Sequence, residues 1–258
     1  MFTKSIGKIW RGFGNGFFIA LIAVGGTFLS LTVFPVIVLT TRKPEDRQRK
    51  FQTVLHYSFK LYCAAIHYLG IAKIQTIGLE RLRNLNGVMI VANHPSLLDV
   101  VMIMSIVPRV QCIVKAALWD NPLFRLTVSG AGYIRNDLDP ETLIDTCRTS
   151  LAAGNNLIVF PEGTRSRPGQ PPRLQRGFAN IATFAQVDIQ IITLTCEPPI
   201  LFKGNPWWKV PEERSCFTME VGECLNIQSF TQNHPRPLAA RKLVTFLEGF
   251  YKEKLGYG

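Results

Sequence analysis

Acidic residues are scarce. The 258-residue chain sets 18 Asp and Glu against 29 Lys and Arg, a net charge of +11. That surplus suits an anionic partner: nucleic acid, an anionic membrane surface or an acidic substrate. Nucleic acid has no support beyond charge, because neither zinc-knuckle spacing nor an aromatic RNA-binding signature is present. Six cysteines, at 63, 112, 147, 196, 216 and 224, form no CxxC pair. Scattered over a chain of this length they make no disulfide framework, so reduced thiols in a cytosol-facing domain are expected. No His/Cys cluster offers a metal site, and no cofactor is expected. The G-x-S-x-G elbow of a serine hydrolase is missing, as are internal repeats and low-complexity tracts.

Charge is missing altogether from Gly16 to Thr40, GFFIALIAVGGTFLSLTVFPVIVLT. Twenty-five uncharged residues can span a bilayer core. The run is longer than the apolar part of a signal peptide and no small-x-small cleavage site follows it. Gly25-Gly26 and Pro35 can each break a helix, so the segment reads as one tilted span or a shallow hairpin in one leaflet. Lys4, Lys8 and Arg11 precede it, and Arg42, Lys43, Arg47, Arg49 and Lys50 follow. The heavier cluster comes after, which puts the body on the cytoplasmic side, as at a bacterial inner membrane. The same cluster would hold it against anionic headgroups, and a solvated linker is the plain alternative. Residues 44–70 carry apolar positions at helical spacing, with Tyr57, Tyr62 and Tyr68 suited to the headgroup level. Residues 1–70 therefore form an anchor and interfacial helix, and residues 1–43 are expected to anchor without performing chemistry.

From residue 71 to 258 the pattern alternates. β-rich runs at 73–77, 87–92, 110–115, 156–160, 189–195 and 216–221 are interleaved with helical stretches at 97–107, 121–129, 140–153, 177–186 and 236–254. The alternation predicts an α/β domain, a mixed sheet flanked by helices. Asp139 is a plausible cap for the helix beginning at Pro140. RSRPGQPPR, 165–173, is irregular loop.

Two strand ends carry the chemistry. GVMIVA runs into NHPSLLD, 93–99, where Pro95 stops sheet pairing and Ser96 can cap a helix from Leu97. His94 then lies at a strand exit and Asp99 in the first turn of the next helix, where a carboxylate can reach the ring and fix its tautomer. A turn histidine beside a helix N-terminal Asp, favoured by the macrodipole, is the plain alternative. NLIVF runs likewise into PEGTRSR, 161–167. Gly163 permits a positive φ or a close approach, Arg165 offers a planar fork for phosphate, and Thr164 and Ser166 add hydroxyls. Glu162 can bind a ligand hydroxyl or hold Arg165. One such turn is unremarkable; a base at one strand end and an anion clamp at another form a site.

NHPSLLD and FPEGTRS together resemble the N-H-x4-D and F-P-E-G-T-R blocks of the glycerolipid acyltransferase family, whose type is lysophosphatidate (1-acylglycerol-3-phosphate) acyltransferase. The resemblance covers roughly residues 70–225. Two further blocks depart from the family: GAGYIRN, 130–136, keeps Arg135 but has Ile134 where Asp is usual, and IITLTCEPP, 191–199, has Thr193 where Pro is usual. The resemblance implies that His94, oriented by Asp99, takes the proton from a lysophospholipid hydroxyl that attacks an acyl thioester of CoA or acyl-carrier protein. Arg135, Glu162, Gly163, Thr164 and Arg165 would hold the acceptor. Membrane lipid, the lysophospholipid and the thioester are the implied partners. Alternatives are another lipid or secondary-metabolite acceptor within the family, a hydrolase using Ser96 or another serine, and a non-catalytic membrane-surface protein.

Overall fold

A computed structural model describes the backbone of residues 2–257 and the side chains of residues 6–257; Met1, Gly258 and the Lys4 side chain lie outside the described residues. Three helices come first: α1 (Phe2–Leu31), α2 (Val33–Thr40) and α3 (Pro44–Tyr68). The α1–α2 break falls at Thr32, not at Gly25-Gly26. Pro35 explains it: its ring would meet the carbonyl four residues earlier, on Leu31, where α1 ends.

β1 (Lys73–Ile77) and β2 (Met89–Ala92) follow, then α4 (Asp99–Ile106), β3 (Val110–Val114), α5 (Ala116–Asp120), α6 (Pro122–Gly130) and a two-residue β4 (Ile134–Arg135). The chain returns through α7 (Pro140–Ala152) to β5 (Asn156–Val159), then α8 (Gly177–Ala185), β6 (Ile189–Glu197), β7 (Cys216–Leu225), α9 (Gln228–Thr231) and α10 (Arg236–Lys254). Asp139 caps α7 as expected, accepting the Thr142 N–H at 3.0 Å. β4, α5 and α9 are additions to the sequence reading. All are five residues or shorter, too brief to carry a period.

The sheet has seven strands in the order β1-β7-β6-β2-β5-β3-β4. β6, β2, β5, β3 and β4 run parallel; β7 is antiparallel to β6, and β1 is parallel to β7. The central strands are buried on both faces, which is why MIVA and NLIV read as unbroken apolar runs. Ile90, Ala92, Ile158 and Ile192 pack on one face with Phe18 of α1, Tyr62 and Ile66 of α3 and Met102 of α4. Met89, Val91, Leu157 and Val159 pack on the other with Leu151 of α7, Phe178 of α8 and Leu243 of α10.

The N-terminal unit is therefore not a detachable anchor. Phe18 is 3% exposed within the body's own core, and the Tyr62 hydroxyl donates to its carbonyl at 2.9 Å. Ser30 and Thr127 share a hydrogen bond at 2.9 Å, so α1 lies along the body as far as α6. The opposite side of α1 and α2 is an apolar stripe in the open, with Ile9 73%, Phe13 72% and Leu39 84% exposed. α1 meets the length and composition of a membrane helix, yet its polar groups Arg11, Asn15 and Ser30 all bond to the body.

Candidate active site

β2 and β5 are parallel neighbours, so Ala92 and Val159 deliver their following turns side by side at the carboxyl edge of the sheet. Each turn is built by its own sequence. After Ala92, Pro95 cannot donate to a ladder, and the Asn93 side chain replaces the lost pairing. Its Nδ2 donates to the Leu194 carbonyl at 2.8 Å and its Oδ1 accepts the Leu194 N–H at 2.7 Å. Asn93 thus continues the β2–β6 pairing by one residue and fixes the backbone from which His94 projects.

His94 and Asp99 meet. Nδ1 of His94 lies 2.8 Å from Oδ2 of Asp99, and the same oxygen accepts the Ser96 N–H at 2.7 Å. The helix consequently begins at Asp99 rather than Leu97, because the carboxylate, not the Ser96 hydroxyl, organises residues 96–98. The Ser96 hydroxyl only accepts the Leu98 N–H at 3.4 Å. Asp99 is 1% exposed and His94 18%. Burial pushes the Asp99 carboxyl above the usual range, opposed by the His94 contact and the Ser96 N–H. Phe160 stacks on the imidazole with centroids 4.2 Å apart, holding the plane of the ring. With Nδ1 occupied, Nε2 is the nitrogen left to move a proton.

The second turn is bonded to the first. Oε1 of Glu162 accepts the His94 backbone N–H at 2.9 Å, and the Ser166 hydroxyl donates to the same carboxylate at 2.9 Å. The Ser166 N–H donates to the His94 carbonyl at 2.7 Å. Glu162 therefore braces the histidine turn instead of holding Arg165. Gly163 takes a φ of +67°, the left-handed conformation that favours glycine, and with Thr164 it is exposed. Arg165 donates from Nη1 to the Leu201 carbonyl at 2.7 Å, which also accepts the Leu97 N–H at 3.3 Å.

Arg135 is not drawn into this cluster. It sits on β4, two strands beyond β5, with its fork on Asp137 at 2.9 and 2.8 Å and a further contact to Asp120 at 3.3 Å. Two strand spacings are about 10 Å. Asp137 and Asp120 already neutralise the cation that the sequence reading left for the acceptor.

Among the described residues, a hydrolytic triad finds no nucleophile beside His94. Ser96 is fully buried, and among the described residues its hydroxyl makes no hydrogen bond to His94. Cys196, whose thiol feels the Asp99 charge, is pushed up to about 12 by burial and stays protonated. All six cysteines are free. The N–H groups of residues 96, 97 and 98, candidates for an oxyanion site, are already spent on Asp99, Leu201 and Ser96.

Asn93, Phe160, Ser166 and Leu201 carry positioning roles that the sequence reading did not assign. The first three lie inside the quoted motif blocks, where adjacency to His94 and Glu162 was the available signal. Leu201 contributes through its carbonyl, which no side-chain pattern encodes.

Known proteins fall on the same pattern. A family model described as Acyltransferase matches residues 73–197. A chloroplastic 1-acyl-sn-glycerol-3-phosphate acyltransferase of Arabidopsis thaliana is 28% identical over 197 residues, covering 73% of this chain and 53% of that protein. A Helicobacter pylori 1-acyl-sn-glycerol-3-phosphate acyltransferase is 31% identical over 112 residues, 41% of this chain and 47% of that one. The chain thus spans about half the length of the curated relatives it matches. The crystal structure of the 1-acyl-sn-glycerophosphate acyltransferase PlsC from Thermotoga maritima superposes with a TM-score of 0.71 at 18% identity, covering 98% of both chains, so the fold is shared from end to end. Motif turns, matched domain and fold agree: residues 73–197 match the Acyltransferase family model, and the chain is similar in sequence and fold to 1-acyl-sn-glycerol-3-phosphate acyltransferases.

Proposed function

We propose that the chain transfers a fatty acyl group from an acyl thioester, carried by CoA or an acyl-carrier protein, to the free hydroxyl of a lysophospholipid, with 1-acylglycerol-3-phosphate as acceptor and phosphatidate as product. The observation that carries this reading is the buried His94–Asp99 pair at 2.8 Å, with Nε2 uncommitted and no serine or cysteine poised to take the acyl group among the described residues.

Nε2 of His94 accepts the proton of the acceptor hydroxyl as its oxygen attacks the thioester carbonyl. Asp99 holds Nδ1–H and stabilises the imidazolium that forms. The tetrahedral intermediate collapses, the C–S bond breaks, and Nε2–H returns the proton to the departing thiolate. No acyl-enzyme forms, and no metal or cofactor enters a step. Arg165, three residues past Glu162, is the cation offered to the acceptor phosphate; a guanidinium on a neutral carbonyl gains by exchanging it for a dianion. Arg135 would join only by giving up Asp137. The apolar stripe of α1 and α2 enters one leaflet with the helix lying along the body, so the acceptor's chain stays in lipid while its headgroup rises to His94. The basic cluster after Thr40 is drawn to the anionic cytoplasmic leaflet.

The test is thiol release from acyl-CoA and from acyl-carrier protein, with and without lysophosphatidate, with phosphatidate followed by mass spectrometry. Acceptor-dependent release with stoichiometric phosphatidate is expected. Release that ignores the acceptor makes the protein a thioesterase and overturns the reading.

A further inference from the structure

The loop between β6 and β7, residues 198–215, carries two neighbouring indoles in the open: Trp207 is 46% and Trp208 63% exposed, edge to face with centroids 5.4 Å apart. Lys203 and Lys209 flank them. Large aromatic surface left in water, framed by cations, marks an interaction site rather than a solvated turn. The loop is tied to α1: Asn15 Nδ2 donates to the Trp207 carbonyl, and Arg11 Nη2 donates to the Pro211 carbonyl at 3.3 Å. A Cβ at Gly16 would stand 2.4 Å from the Trp207 ring, so glycine there lets the indole lie directly on the helix. One residue along, Phe17 belongs to the exposed apolar stripe, 52% in the open. The indoles therefore continue that stripe.

We infer that the Trp207–Trp208 loop is a second membrane contact, seated at the headgroup level of the leaflet that receives α1. The occupant is the bilayer surface because the indoles abut the one face of the protein already built for lipid. Trp, with an apolar body and one N–H donor, partitions to the water–hydrocarbon boundary, and the flanking lysines meet anionic headgroups there. The loop also reaches the site. Leu201, at its base, is 3% exposed and held at a φ of +56°, a conformation that a leucine adopts only when its surroundings impose it. Its carbonyl receives Arg165 and the Leu97 N–H. One loop thus sets the depth of the body in the leaflet and the position of the guanidinium offered to the acceptor phosphate. The second half of that statement rests on the proposed reaction; the first does not.

Quenching by brominated lipid tests the contact on the full chain. Vesicles of phosphatidylcholine and phosphatidylglycerol, brominated near the headgroup or near the chain end, are mixed with wild type and with Trp208→Ala, and the difference reports Trp208 alone. A blue-shifted component, quenched more by shallow than by deep bromine, is expected. An unshifted, unquenched difference from protein that floats with the vesicles overturns the inference. So does Trp208 shielded from iodide before lipid is added, in protein sedimenting as a dimer, which assigns the indoles to a second copy. Trp208→Ala should lower vesicle partitioning about tenfold, with Trp208→Tyr restoring most of it. Its KM should rise for lysolipid in bilayers and stay unchanged for a short-chain soluble acceptor; equal rises place the effect of Trp208 at the site and overturn a role through the bilayer. If wild type transfers no acyl group at all, the proposed reaction fails while the quenching still judges the loop.

Discussion

Replacing Asp99 by Asn separates what the carboxylate does for chemistry from what it does for the fold. The side chain keeps its shape, so an amide oxygen can still accept the Ser96 N–H now bound at 2.7 Å. His94 Nδ1 lies 2.8 Å from that same oxygen, so an amide that turns its NH2 to the ring, selecting the tautomer in which Nε2 carries the proton, does so by giving up the Ser96 N–H. A base in the wrong tautomer cannot accept a proton, and turnover should fall about 10⁴-fold, as in other His–Asp pairs. Stability should move little. Losing charge assistance in two hydrogen bonds costs about 1–3 kcal/mol, and relieving a buried carboxylate of its desolvation returns a similar or larger amount. Because burial dominates and raises the Asp99 pKa, the group favours the fold while protonated. That contribution is fully present below the unfolded value, about 3.9, and is lost as pH rises through the higher folded value. Asn does not titrate, so the Tm of the variant minus that of wild type should increase between pH 4 and pH 8. Thermal unfolding in detergent at stepped pH, beside the transfer assay, measures both. A difference that falls with rising pH would mean that attraction to His94 outweighs burial, and the energetic reasoning would be refuted.

His94→Ala should remove at least 10²–10⁴-fold in turnover while the protein stays folded, measured by phosphatidate formation and circular dichroism. Arg165→Lys replaces a fork by a point charge and should raise KM for the acceptor more than for the thioester; a rise confined to the thioester reassigns Arg165 to the donor. Phe18→Ala empties a site in the shared core and should cost about 3–5 kcal/mol in the full chain, whereas an anchor independent of the body would lose nothing. Ser166→Ala removes the hydroxyl on Glu162 and should cost about 1–3 kcal/mol, with turnover lowered through the loosened His94 turn and recovered in part by Ser166→Thr.

The sheet was legible because its central strands are buried on both faces and its helices carry caps or prolines at their starts: Pro140 behind Asp139 and Pro44 at the head of α3. The site was legible where chemistry is carried by side-chain type at short range, as with His94 and Asp99. It was less legible where partners are distant. Nothing in PEGTRSR says that Glu162 will turn to the histidine backbone, because that depends on β5 lying beside β2. Arg135 is a case of the same kind: its partner Asp137 is two residues away, but the edge position of the pair belongs to the strand order. The N-terminal helices were half legible. Hydropathy marked their apolar length, but the polar side chains that bind them down the body, Asn15 and Ser30, look in sequence like interruptions of a span.

The bonds between the two turns have a consequence for how such sequences diverge. His94 presents its N–H to Glu162 and its carbonyl to Ser166, so the base stands on a platform that it does not encode. A lineage that altered the PEGTRS segment would shift the imidazole without touching it, and compensation inside NHPSLLD could not restore the missing acceptor. The two words should be kept or lost as one.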